Sequence, residues 1–163
     1  MDVAAVGSPV VVRGDQHTAR IENVDDRIER ALKDAGVLDR TTFTGPLAGA
    51  DKAAILASSE LMVLPTHSEN FGVVIAEALA SATPVITTVG TPWSELSEHG
   101  CGWYIQVGAE PLYAAMREAM GLDDAARREM GRRGRELIRR RYDWQAIASD
   151  LIAVYNWILG RAP

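Results

Sequence analysis

The chain has 163 residues, 47% of them apolar and 24% charged, with a formal net charge of −5. That length suits one domain with a full core, and the acidic balance argues against a nucleic-acid binder. The single cysteine excludes an intramolecular disulfide framework, and no run approaches the ~20 apolar residues needed to cross a bilayer.

Met1 to Pro9 carries no pattern. Val10-Val11-Val12 reads as a buried strand, followed by a loop at Arg13-Gly14-Asp15-Gln16. Residues 23–36 read as a helix, because Val24, Ile28, Ala31, Leu32 and Ala35 recur at helical spacing and Gly36 is a natural stop. Thr41-Thr42-Phe43-Thr44 is rich in β-formers and runs into Gly45-Pro46, which predicts a strand and a tight loop. Asp51 is expected to cap a helix through Ser58. Leu61-Met62-Val63-Leu64 is a strand ending at Pro65.

A loop, His67-Ser68-Glu69-Asn70-Phe71, leads into a helix over residues 72–81. That helix is apolar nearly all round, which predicts burial, yet it carries one acid, Glu77. Pro84-Val85-Ile86-Thr87 is the next strand. Pro92 opens a short helix through Ser97. Gly100 and Gly102 flank the turn into a strand at Trp103-Tyr104-Ile105. Helices follow over 110–120 and 123–141, and Asp143 caps a last one through Leu159, so that 143–163 is the C-terminal helix of a single domain spanning 1–163.

Strands alternating with helices imply right-handed βαβ units and a Rossmann-like, doubly wound parallel sheet of the α/β class. Such sheets bind ligands at the carboxyl ends of their strands. The loops at Gly14-Asp15, Gly45 to Leu47, His67 to Gly72 and Gly90 to Pro92 all follow strands and are expected to converge on one edge.

A carboxylate on a buried helix is costly unless something pairs with it. Glu77 is therefore expected either to accept hydrogen bonds from ligand hydroxyls or to pair with an arginine. Glu69 lies in the preceding loop, where it either faces a ligand or is solvated. Gly72 permits close approach of a ligand to the backbone. The free N–H groups of the helix's first turn favour an anion. Phosphate at the helix start and hydroxyls on the carboxylates would suit a phosphate-linked sugar.

Glu69 and Glu77 stand eight positions apart, with Asn70-Phe71-Gly72 between them and Pro84-Val85-Ile86 after. With Phe43-Thr44-Gly45, Leu64-Pro65-Thr66, Thr91-Pro92-Trp93-Ser94-Glu95-Leu96 and Gly100-Cys101-Gly102-Trp103, this ordered set resembles the C-terminal, donor-binding half of the GT-B glycosyltransferases called group 1, or family 4. The resemblance runs from about Pro9 to the end. It implies a nucleoside diphosphate sugar as donor, retention of anomeric configuration, and neither a cofactor nor a bound metal. By the same resemblance Glu77 accepts the ribose hydroxyls and Glu69, the catalytic candidate, faces the transferred sugar. The backbone N–H groups of Asn70, Phe71, Gly72 and Val73 hold the sugar and distal phosphate, and the backbone at Gly45, Pro46 and Leu47 meets the base. Pro46 has no N–H to donate, so Leu47 or a carbonyl must make that contact. His67 either touches sugar or phosphate or is solvated.

The resemblance also implies what is missing. The acceptor-binding domain is absent and must come in cis or in trans, so the isolated chain should bind nucleotide weakly and transfer nothing alone. The stretch that opens this half, a strand and a basic loop that clamps the diphosphate, has no match in Met1 to Pro9. Either Val10 to Val12 pairs directly with Leu61 to Leu64, or a strand comes from elsewhere, including another copy of the chain; Asp2 to Val6 is a poor filler because Gly7-Ser8 is too short for a parallel crossover.

Trp93 and Cys101 are expected to be packing residues. Arg127, Arg128, Arg132, Arg133, Arg135, Arg139, Arg140 and Arg141 give a basic helix, read as a solvated face in preference to a membrane-surface contact. The N-terminus lacks a basic-then-apolar leader, so the expected compartment is cytoplasmic, with any membrane association peripheral. A non-catalytic interaction module derived from such an enzyme is the alternative function. A dinucleotide-dependent oxidoreductase is disfavoured, because no G-x-G-x-x-G opens a helix after the first strand.

Overall fold

The computed structural model describes residues 10–12 and 22–161. The loop expected at Arg13 to Gln16 and the segment Asp2 to Val6 lie outside the described residues. The chain divides into two compact units, Met1–Asp51 and Lys52–Pro163.

In the first unit, β1 (Val10–Val12) pairs in parallel with β2 (Thr41–Phe43), Val11 standing opposite Thr42. Between them runs α1 (Glu22–Asp34). It ends as its sequence predicts. Gly36 adopts the left-handed conformation at φ 67°, the Gly36 N–H donates to Lys33 O at 3.0 Å, and the Val37 N–H donates to Leu32 O at 2.9 Å. Those paired bonds satisfy carbonyls that the helix end would otherwise orphan.

The second unit holds a parallel sheet of β3 (Met62–Leu64), β4 (Val85–Thr88) and β5 (Gly102–Ile105), in that spatial order. Its helices are α2 (Gly49–Ser58), which begins at the end of the first unit, α3 (Val73–Ala80), α4 (Glu95–Glu98), α5 (Ala109–Gly121), α6 (Asp124–Arg141) and α7 (Trp144–Ile158). Every residue of β4 is buried. Side chains alternate between the faces of a strand. Val85 accordingly packs into a cluster with Leu56, Ile75, Leu79, Trp93, Leu96 and Leu137, while Ile86 packs with Ala115 and Ala119 of α5. Helices thus cover both faces, as the doubly wound reading requires. Burying a Val or Ile side chain is worth about 1.5–3 kcal/mol, so β4 anchors both layers. Its polar side chains find backbone acceptors: Thr87 Oγ1 donates to Leu64 O at 2.9 Å.

α6 crosses very close to the end of α3. A Cβ at Gly131 would lie 1.9 Å from Ala82 O, and one at Gly134 would lie 2.7 Å from Leu79 Cδ2. Asp123 caps α6 by accepting from the Ala126 N–H at 2.7 Å, and Asp143 caps α7 by accepting from the Gln145 N–H at 3.3 Å.

Three local expectations need correction. Pro92 does not open the short helix, because α4 begins at Glu95 and Pro92 lies in the loop before it. Asp51 is not the cap of α2 but its third residue, since the helix already starts at Gly49. In that first turn its carboxylate still faces the positive end of the helix dipole. α3 is buried on one face only: Ile75, Ala78 and Leu79 are inaccessible, whereas Val73 is 62% exposed. Val73 stands outside the core cluster that holds Ile75, Ala78 and Leu79.

Candidate functional site

The carboxyl ends of β3 and β4 carry the loops 65–72 and 89–94, and these are tied together. The Glu69 N–H donates to Gly90 O at 2.9 Å, and Thr88 Oγ1 donates to Thr66 O. A Cβ at Gly90 would sit 2.3 Å from His67 O, so only glycine lets the second loop lie against the first. The Trp93 indole N–H donates to Phe71 O. The β3 loop is thus held along its length by the β4 loop, and it delivers the chain into α3 through Gly72, which is left-handed at φ 74° and ψ 61°. A side chain there would be strained in any surroundings. It would also meet Ile75 Cδ1 at 2.9 Å.

This arrangement brings His67, Glu69, Asn70, Phe71, Gly72, Val73 and Glu77 together on one loop and the helix it opens. His67, Glu69 and Asn70 are exposed. Glu69 folds onto its own backbone, Oε1 accepting from the Asn70 N–H at 3.0 Å. That amide is therefore already satisfied and is released only if Glu69 swings away. The Gly72 and Val73 amides stand at the helix start, where no intrahelical acceptor exists.

Glu77 lies one turn inside α3. Helical side chains lean toward the N-terminus, which carries its carboxylate back over the first turn. Oε1 forms an ion pair with Lys52 Nζ of α2, the two side chains being 34% and 23% exposed. Oε2 is buried and has no hydrogen-bond partner among the described residues. The pairing corrects the expected arginine: the partner is an ammonium rather than a guanidinium, the pair is half-buried, and one oxygen is left over. Lys52 was not singled out from sequence. It approaches Glu77 through the packing of α2 on the sheet, and nothing local marks a pair 25 positions apart.

Behind the loop, Trp93 is fully buried, with its ring 5.2 Å from Phe71 and 5.3 Å from Tyr142; Phe71 and Tyr142 are 5.6 Å apart. The Tyr142 O–H donates to Glu95 Oε2 at 2.8 Å, and Arg141 pairs with Glu95 Oε1. The end of α6 is thereby joined to α4 and to the loop. Cys101 is also fully buried, and burial pushes its thiol up to about 11. Trp93 and Cys101 are packing residues, as expected. On α6, Glu129 accepts from Arg132 at 2.7 Å and from Arg133 at 3.2 Å, and those guanidinium bonds hold its carboxyl down at about 2.

Gly45, Pro46 and Leu47 belong to the first unit. Gly45 is left-handed at φ 60°, and Thr44 Oγ1 donates to Gly45 O at 2.9 Å. Pro46 is exposed and Leu47 is half-buried. Among the described residues, no group of three or more His, Cys, Asp or Glu side chains is placed to hold a metal ion, and no helix is long and apolar enough to cross a membrane.

The family model for glycosyl transferases group 1 matches residues 7–137. The D-inositol 3-phosphate glycosyltransferase of Salinispora tropica is 33% identical over 148 residues, covering 90% of this chain but 30% of that protein. Among solved structures, sucrose-phosphate synthase from Thermosynechococcus elongatus superposes with a TM-score of 0.76 at 25% identity, over 93% of this chain and 39% of that one. An Anabaena protein, HepE, solved in complex with UDP, superposes at 0.74 with 22% identity, over 90% of this chain and 41% of that one. The chain thus spans about a third of the length of the relatives it matches.

Proposed function

Because the chain belongs to the group 1 glycosyltransferases, we propose that it is the donor-binding half of a retaining enzyme that moves a sugar from a nucleoside diphosphate sugar to an acceptor. The observation that carries this reading is the state of Glu77. One carboxylate oxygen is held by Lys52 and the other is buried without a hydrogen-bond partner among the described residues. An ionised oxygen with unused acceptor capacity suits a pair of vicinal ribose hydroxyls, since charge-assisted hydrogen bonds are the strong kind. The amides of Gly72 and Val73 supply the complementary part, an anion seat for phosphate.

On this reading Glu69 acts at the transferred sugar. It leaves the Asn70 amide to accept sugar hydroxyls, and the freed amide joins Phe71, Gly72 and Val73 in holding the sugar and distal phosphate. Dipoles already aimed at the departing diphosphate stabilise its growing charge without reorganisation, which makes a metal unnecessary. The UDP and UDP-glucose bound in structures of the Anabaena protein are consistent with this class of ligand. The remaining length of those relatives corresponds to an acceptor-binding domain, supplied in cis or in trans, without which the chain binds its donor and transfers nothing.

Saturation-transfer NMR of the chain with a panel of nucleoside diphosphates tests the proposal. Transfer is expected to the ribose protons of at least one diphosphate and to be lost in Glu77→Ala. Binding that persists unchanged in that variant contradicts the role of Glu77.

A further inference from the structure

The loop before α3 can present a donor to an anion only if its peptide planes face the right way. Glycine makes that orientation insecure. The Phe71–Gly72 peptide precedes a residue with no Cβ, and such a peptide can turn over with little steric cost. A trans peptide points its C=O and N–H in opposite directions. Fixing the Phe71 carbonyl therefore fixes the Gly72 N–H.

The side chain that fixes it is Trp93. Its indole N–H is a donor only, and it is buried, so it requires an acceptor. That acceptor is Phe71 O. If the peptide turned over, the Gly72 N–H would face the indole N–H, donor against donor, and the buried indole would lose its partner. A carbonyl oxygen would then point where an anion is to sit. Trp93 itself is held in register by tilted ring contacts to Phe71 at 5.2 Å and Tyr142 at 5.3 Å. Tyr142 is anchored in turn through Glu95.

We propose that Trp93 is a positioning residue for diphosphate binding: its indole N–H holds the Phe71–Gly72 peptide so that the Gly72 amide faces the ligand. The ligand half of this statement rests on the donor-binding reading above; the orientation half does not. Trp93 touches no ligand and acts through the backbone it holds.

The test replaces Trp93 in the whole chain in two ways. One is Trp93→Phe. The other is benzothienylalanine at position 93, which keeps the bicyclic shape and removes only the N–H, so that it fills the volume that Phe leaves empty. The first readout is the direction of the Gly72 N–H vector from residual dipolar couplings, with Ile75 and Ala78 as internal references. The proposal expects the Gly72 coupling to change or average in both variants while the references stay put. A Gly72 coupling identical to wild type overturns it, whether or not the chain binds nucleotide. The second readout is affinity for a nucleoside diphosphate against the matching nucleoside. The diphosphate should bind roughly tenfold more weakly, the loss expected for one charge-assisted hydrogen bond, and the nucleoside equally well. Equal loss for both ligands would show a merely structural role and also overturn the proposal. A wild-type chain that binds no diphosphate refutes the donor-binding reading and leaves the coupling measurement to decide the role of Trp93.

Discussion

Replacing Glu77 by glutamine keeps the size of the side chain and one acceptor oxygen but removes the charge. Two separate effects follow. The pair with Lys52 is lost; at 34% and 23% side-chain exposure it lies between a surface and a buried ion pair. Surface pairs contribute roughly 0.2–1 kcal/mol, while breaking a buried one costs about 3–5 kcal/mol, so about 1 kcal/mol is expected here. That corresponds to a fall in Tm of roughly 2–4 °C for a chain of this size. The second effect is on binding. A hydrogen bond to a charged group contributes about 1.5–3 kcal/mol, and the buried Oε2 meets no competing donor among the described residues. Glutamine still offers a neutral acceptor, worth about 0.5–1.5 kcal/mol, so E77Q should weaken a nucleoside diphosphate by the difference, about 1–1.5 kcal/mol or roughly 5- to 13-fold. Titration calorimetry measures this directly, with inorganic pyrophosphate as the control. Pyrophosphate has no ribose and should lose little affinity. A nucleoside diphosphate that binds E77Q as tightly as wild type refutes the ribose role, and an equal loss for pyrophosphate would show that the charge acts at the phosphates instead.

Other outcomes follow from the same geometry. Lys52→Met should cost about the same 1 kcal/mol as E77Q, and the double variant should lose little more than either one, a coupling of about 1 kcal/mol in a double-mutant cycle by denaturant unfolding. Gly131→Ala should be far more damaging than Gly134→Ala. The first Cβ would meet a backbone carbonyl at 1.9 Å, the second only the flexible end of Leu79 at 2.7 Å; a loss of about 3 kcal/mol against 1 kcal/mol or less is expected. The Cys101 thiol is neutral in the fold and held up at about 11 against 9.0 for an ordinary thiol. A raised folded pKa gives stability that is fully present below pH 9.0 and is lost as pH climbs toward 11. Cys101 should accordingly resist thiol reagents at pH 8 until the chain is unfolded. The opposite sign holds for Glu129. Its depressed carboxyl contributes above pH 4.5, and that contribution is lost as pH falls toward 2; carbon-detected NMR titration should find this carboxyl among the last to protonate.

Most of the architecture was legible because its signals are local. The strands of the second unit are short runs of apolar, aromatic or β-branched residues near Gly and Pro, and the caps at Asp123 and Asp143 and the stop at Gly36 each announce themselves within a turn of chain. Reading α3 as wholly buried failed because an apolar helix does not say which of its faces is covered, and Val73 stands outside the core cluster that holds Ile75. The acids at positions 69 and 77 were marked by type and spacing. Their partners were not. Lys52 reaches Glu77 and the Trp93 indole reaches Phe71 O only through tertiary packing. The close crossing of α6 did leave a trace, a Gly-x-x-Gly at 131 and 134 inside an otherwise charged helix, where two glycines on one face signal a near neighbour.

An amide NMR titration of the isotope-labelled chain with a nucleoside diphosphate tests the central claim most directly. The account predicts the largest shifts at Asn70, Gly72 and Val73, a carboxyl-carbon shift at Glu77, and saturation at a single affinity. Saturable binding whose shifts fall elsewhere, with Gly72, Val73 and Glu77 unmoved, would contradict it.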